Sequence, residues 1–210
     1  MNKKKHLRSQ FRESAAVQQK FENYDLITPT AKIAALTHGG RAKCLQRLVR
    51  LDLPVPKTVA LSFDAIKGIV SGKMPDLVDI LLNFDEKDTL CVRPSSESTD
   101  WGGPGAVLNI GMNDERYLHL SKHIGEKAAS ELYFRFIQAY SISVARLDPD
   151  IFDHIIDTNG NSVTAAQAAF KDEIGENFPQ SIEIQLSEVL RSMARAWEGT
   201  SARLLREAKG

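Results

Sequence analysis

The segment that most constrains the fold runs from Cys91 to Asp114 and reads CVRPSSESTDWGGPGAVLNIGMND. A short apolar run, Thr89 to Val92, feeds into Arg93. A loop of serine, threonine and glycine follows, and Val107–Ile110 then forms a second apolar run bounded by Gly105 and Gly111. Short apolar runs closed off by turn-forming residues are strand signals. The segment therefore predicts strand, loop, strand in a chain whose flanks have helical periodicity, so the fold cannot be all-helical.

Arg93 stands where the first strand ends, facing small hydroxyl and glycine residues. A guanidinium is a permanent forked donor that matches carboxylate and phosphate geometry, and glycine lets backbone approach a ligand closely. Two readings follow from the pattern. In one, the loop receives an anion, with phosphate the natural guess. In the other it is a surface hairpin whose arginine pairs with a neighbouring carboxylate. The loop fits neither the P-loop nor the dinucleotide fingerprint.

The flanks predict a helical protein around that hairpin. Gln10–Tyr24 reads as a polar helix and Thr30–Thr37 as a short apolar element. Ala42, Leu45, Leu48, Val49 and Leu51 recur at helical spacing, which places Gly39-Gly40 just before a helix start, a position that favours anions. Leu53-Pro54-Val55-Pro56 ends that helix, because proline removes a donor and pushes its predecessor extended. Thr58–Leu61 then reads as a strand, Ser62 as the cap of a helix near Phe63–Ser71, and Pro75–Asn83 as another helix. Glu115–Arg146 is helical except around Gly125, and Val163–Ile174 and Ile182–Ala208 complete the helical half. Phe134, Phe136, Ile137 and Tyr140 share one helix face and read as core rather than a cofactor box.

Several function classes are excluded or disfavoured. The 210 residues carry 27 acidic and 27 basic side chains, so the formal net charge is zero, against a general nucleic-acid or membrane-surface binder. The basic cluster Lys3, Lys4, Lys5, Arg8 and Arg12 reads as a solvated terminal arm. No apolar run is long enough to span a bilayer and no signal-type segment follows the basic start, which predicts a cytoplasmic protein. Cys44 and Cys91 have no metal-ligand spacing and read as reduced thiols. His119 and His123 share i, i+4 spacing but lack the glutamate that would follow the first histidine in a metalloprotease helix, so no metal site is assigned. No nucleophile–base arrangement is legible, and no catalytic residue is assigned.

Four stretches, in order, carry a family resemblance. They are GGRAKCLQRLVRLDLPVPKTVALS (Gly39–Ser62), Cys91–Asp114, ELYFRFIQAYSISV (Glu131–Val144) and FPQSIEIQLSEVLRSMARAWEGTSARLLR (Phe178–Arg206). Together they resemble the nucleotide-binding domain of the pyruvate phosphate dikinases and, more loosely, of the phosphoenolpyruvate synthases. The ending LNIGMND favours the dikinases. The resemblance covers most of the chain after Gly39 and nothing before it. It implies an α/β (α+β) fold, with a mixed-sheet lobe of an ATP-grasp-like domain over 26–114 and 180–210 and a helical subdomain over 115–179. Residues 1–25 form a basic arm and polar helix.

The resemblance also implies a site. The dikinases place a phosphate-reaching lysine directly after the glycine pair, where this chain has Arg41, with Lys43 further on. Arg93 aligns with the family's phosphate-contacting arginine, and Ser95, Gly102, Gly103 and Gly105 complete the implied phosphate-binding set. Pro94 replaces the usual serine, and Trp101 is bulkier than its family counterparts. The implied cofactor is ATP, with magnesium expected only in the presence of a second lobe that supplies its carboxylates. That lobe, the phosphohistidine domain and the pyruvate barrel have no counterpart here. The chain is therefore expected to be the ATP-side lobe of a phosphotransferase, inactive alone, or else a non-catalytic dikinase-derived binding or regulatory module. Its expected partners are a nucleotide, and a second chain carrying the missing domains or a second copy of itself. Neither a membrane nor a nucleic acid is expected.

Overall fold

A computed structural model describes residues 24–96 and 105–209. The basic arm, the span 10–23 of the expected polar helix, and Trp101, Gly102 and Gly103 lie outside the described residues. Tyr24, expected at a helix end, instead opens strand β1 (Tyr24–Leu26), which pairs antiparallel with β2 (Val59–Leu61) and sets Asp25 opposite Ala60. Helix α1 (Ala35–Arg50) connects them, and α2 (Phe63–Val70) and α3 (Leu77–Leu81) follow. The expected hairpin is present as antiparallel β3 (Leu90–Val92) and β4 (Val107–Ile110). Six helices close the chain: α4 (Asp114–Ile124), α5 (Glu126–Ser143), α6 (Pro149–Asn159), α7 (Val163–Ile174), α8 (Ile182–Glu198) and α9 (Thr200–Lys209). The α+β class holds. Among the described residues the strands form two separate antiparallel pairs where a mixed sheet was expected.

Local chemistry explains most helix boundaries. Ser62 Oγ accepts from Ala65 N at 3.1 Å, Asn113 Oδ1 from Arg116 N at 2.8 Å, and Ser162 Oγ from Ala165 N at 3.2 Å. Each satisfies one of the amides that a helix start leaves unpaired. Gly125, at φ +86°, separates α4 from α5 as its position in the sequence suggests. Gly199 divides the helix expected over Ile182–Ala208 by taking an extended conformation after Glu198. Helix α6 was not anticipated, although Asp148-Pro149 is an N-cap followed by proline at the first helical position.

The larger core joins both sheet and helices, packing Leu90, Val107 and Ile110 against Phe136, Ile137, Phe152, Val189 and Leu190. Phe178 is its hub. The ring centroid of Phe178 lies 5.6 Å from Phe136, 5.3 Å from Tyr140 and 5.3 Å from Phe170, all near edge-on. Such edge-to-face pairs add about 0.5–1.5 kcal/mol each beyond burial. Polar clips cross this core. Fully buried Gln185 on α8 accepts from Gly111 N at 2.7 Å and donates to Met112 O at 2.9 Å and Pro179 O at 2.7 Å, which fastens the end of β4 to α8. Tyr133 donates to Asp114 Oδ1 at 3.0 Å and accepts from Gln167 and Gln180, and burial raises its phenol well above the ordinary range. A smaller core of Ile27, Ile33, Ala42 and Ala60 holds α1 against the first ribbon. No helix among the described residues is long and apolar enough to cross a membrane.

Candidate functional site

Helix α1 is two helical pieces. It begins at Ala35, earlier than the periodicity predicts, and breaks at Gly39, whose φ of +82° and ψ of 165° are non-helical. A helix restarts behind the glycine pair, as the sequence implies. Positive φ is the conformation that only glycine takes without cost. Here the absence of a side chain is needed twice over, because a Cβ on Gly39 would lie 1.8 Å from the carbonyl oxygen of Ser95. The glycine turn and the residues leaving β3 are thus in backbone contact.

That contact is a hydrogen-bonded junction. Ser95 Oγ donates to His38 O at 2.7 Å and accepts from Ala42 N at 3.0 Å, while Gly40 N donates to Ser96 O at 2.8 Å. Behind it, the buried His38 ring sets Nδ1 2.9 Å from Thr37 Oγ1. Its Nε2 lies 3.1 Å from Asp25 Oδ2, a close contact that falls outside hydrogen-bond geometry. The junction is therefore tied to β1. Tyr24 Oη donates to Asp79 and links the same ribbon to α3.

The junction brings together the chain segments that carry two guanidiniums, and both lie near enough to Cys91 to act on its charge. Arg41 follows the glycine pair and Arg93 follows β3. Both are exposed, and among the described residues neither has a hydrogen-bond or ion-pair partner. Their charges converge on Cys91. Partial burial raises the thiol of Cys91 above its ordinary range, and Arg93 and then Arg41 pull it back down. A β-bulge lies opposite, since Leu90 pairs with Ile110 but Val92 with Val107, leaving an additional residue in β4. Asn109 sits in that bulge at φ +61°. Bulges bend a strand and re-aim its side chains.

The other residues implied by sequence take different places. Lys43 is turned away, donating to Ile33 O at 2.8 Å and Gln46 Oε1 at 2.9 Å. Gln46, fully buried, carries that link to Ala31 O at 2.5 Å. Ser95 spends its hydroxyl on the junction. Gly105 is exposed, and a Cβ there would meet open space. Gly102 and Gly103 lie outside the described residues. His119 and His123 stack at 4.3 Å on the α4 surface, and His123 Nδ1 contacts His119 O at 2.8 Å. Among the described residues, no group of three or more His, Cys, Asp or Glu could hold a metal ion. The donor set of Arg41 and Arg93 suits the charge of a polyphosphate. The sequence reasoning missed Cys91 as the meeting point of the two charges, although its position two residues before Arg93 was a usable signal. The His38–Asp25 contact joins a helix to a strand that had no strand signature.

No protein-family model matches the chain. It is weakly homologous to pyruvate, phosphate dikinases. It is 29% identical to the Clostridium symbiosum enzyme over an alignment covering 78% of this chain and 23% of that protein. It is 27% identical to the Rhizobium meliloti enzyme, covering 82% of this chain and 23% of the relative. Against the chloroplastic dikinase 1 of Arabidopsis thaliana the identity is 23%, over 78% of this chain and 21% of the relative. The chain thus spans less than a quarter of the length of these relatives.

Proposed function

We propose that this chain is the phosphate-binding part of a dikinase-like nucleotide-binding domain, and that Arg41 and Arg93 hold the polyphosphate tail of ATP between them. The observation that carries the reading is the pair itself. Two exposed guanidiniums, delivered by elements far apart in sequence, are held at one junction and left without protein partners among the described residues. The alternative for Arg93, a structural ion pair with a neighbouring carboxylate, has no support among those residues. Arginine forks give phosphates charge-assisted and often bidentate hydrogen bonds, roughly twice as strong as neutral ones. Weak homology to proteins named pyruvate, phosphate dikinase supports the same direction.

The chemistry assigned to this part is binding and orientation. Phosphoryl transfer depends on positioning plus neutralisation of charge by metal and donors. The two arginines supply charge and position, and the metal-binding carboxylates belong to a second lobe on a partner segment or chain. Two exposed free thiols, Cys44 and Cys91, suit a reducing cytoplasm. Titration calorimetry with ATP, ADP and pyrophosphate tests the reading. Binding is expected in the micromolar to millimolar range, from about −8 to −4 kcal/mol. No detectable heat at several times the upper limit of that range overturns it.

A further inference from the structure

We propose that Ser95 is the positioning residue of this anion site. Its hydroxyl latches the end of β3 to the glycine turn, and so fixes Arg41 and Arg93 within reach of one ligand. The purpose of the latch rests on the anion-binding reading above, but its existence and its main test do not.

A seryl hydroxyl has one proton to donate and lone pairs to accept. Ser95 uses the proton on His38 O at 2.7 Å and a lone pair on Ala42 N at 3.0 Å, so the group is engaged in both senses within the protein. The next residue repeats the pattern through its backbone, with Ser96 O taking Gly40 N at 2.8 Å. The restarted helix therefore has two of its early amides occupied by the chain's own serines. A helix start with open amides is a ready anion cradle. Here two of those amides, Gly40 N and Ala42 N, are taken from within, which shifts anion recognition towards the two side-chain forks. Forks on flexible stems bind one ligand together only if their backbones are held at a fixed separation. The latch does this, since it joins residues 38–42 to residues 95–96. Gly39 makes it possible, because any Cβ there would strike Ser95.

Cys91 is a built-in reporter. It is exposed and feels both arginine charges, so an anionic alkylating reagent is drawn to it relative to a neutral one of similar reactivity. The experiment measures the ratio of iodoacetate to iodoacetamide rates at the Cys91 peptide by mass spectrometry, in the intact chain and without ligand. In Ser95→Ala the ratio is expected to fall to that of Arg41→Ala, and ATP affinity to fall about tenfold through loss of one fork. Ser95→Thr, which keeps the hydroxyl, restores both values. Gly39→Ala breaks the latch from its other side and lowers the ratio in the same way. A wild-type ratio in Ser95→Ala overturns the proposal, as does failure of Ser95→Thr to restore it. Loss of cooperative unfolding in Ser95→Ala also overturns it, by making Ser95 a folding residue. If ATP never binds but the ratio changes as expected, the latch stands and the nucleotide reading falls.

Discussion

Replacing Arg93 with alanine separates a ligand-serving arginine from a structural one. The side chain is exposed and has no hydrogen-bond or ion-pair partner among the described residues, so its removal leaves no buried group unpaired. Surface substitutions of this kind change stability by less than about 0.5 kcal/mol. For a domain of this size that is a shift of roughly 1–2 °C in the melting temperature. Ligand binding should respond very differently. A hydrogen bond to a charged group contributes about 1.5–3 kcal/mol, which corresponds to a loss of roughly 10- to 150-fold in affinity for ATP. The Cys91 thiol should also move further up, since burial raises it and Arg93 is the larger of the two charges that lower it. Calorimetry with ATP, thermal unfolding, and a titration of Cys91 reactivity against pH give the three numbers on one variant. A melting temperature lowered by many degrees, with affinity unchanged, would refute the reasoning and make Arg93 a structural partner.

Three further outcomes test the scaffold. Gln185→Leu should cost at least about 2 kcal/mol in urea unfolding, since it unpairs two buried backbone groups at about 1–3 kcal/mol each, and one half-buried carbonyl besides; a cost under half of that contradicts the clip described between β4 and α8. Phe178→Ala should destabilise by about 3–5 kcal/mol, and a near-neutral result in the same assay would remove Phe178 as the aromatic hub. Tyr140 is pushed up to about 12, by burial first and by Glu188 second, so its contribution is intact below its ordinary value of 10.0 and is lost as pH rises towards 12. Stability measured across that alkaline window should fall less steeply in Tyr140→Phe, and identical slopes contradict the assignment.

What the sequence revealed and what it concealed divide along the range of the interactions. The β3–β4 hairpin, the Ser62 cap, the break at Gly125 and helix α7 are written in neighbouring residues, and the structure has them where local patterns put them. The buried face of α5, with Phe134, Phe136, Ile137 and Tyr140, follows from its periodicity. Tyr24, the first residue of β1, reads as a helix end because Tyr24–Leu26 is too short for an alternation to register, and the strand is held by β2 far along the chain. The early start of α1 has no side-chain cap at Ala34 to announce it. At the site, Arg41 and Arg93 could be named from residue type and resemblance. The diversion of Lys43 to Ile33 O, and of Ser95 to the glycine turn, depends on backbone groups that no sequence pattern exposes.

The central claim is that a polyphosphate sits between Arg41 and Arg93, over the thiol on which both charges act. Protection of Cys91 from iodoacetamide by ATP tests it most directly, because it reports where the ligand is as well as whether it binds. The account predicts that the Cys91 alkylation rate falls in step with calorimetric occupancy, reaching half its unliganded value at the Kd, and that Arg41→Ala and Arg93→Ala each weaken protection. An unchanged Cys91 rate at calorimetric saturation would contradict the account, since the ligand would then be bound elsewhere.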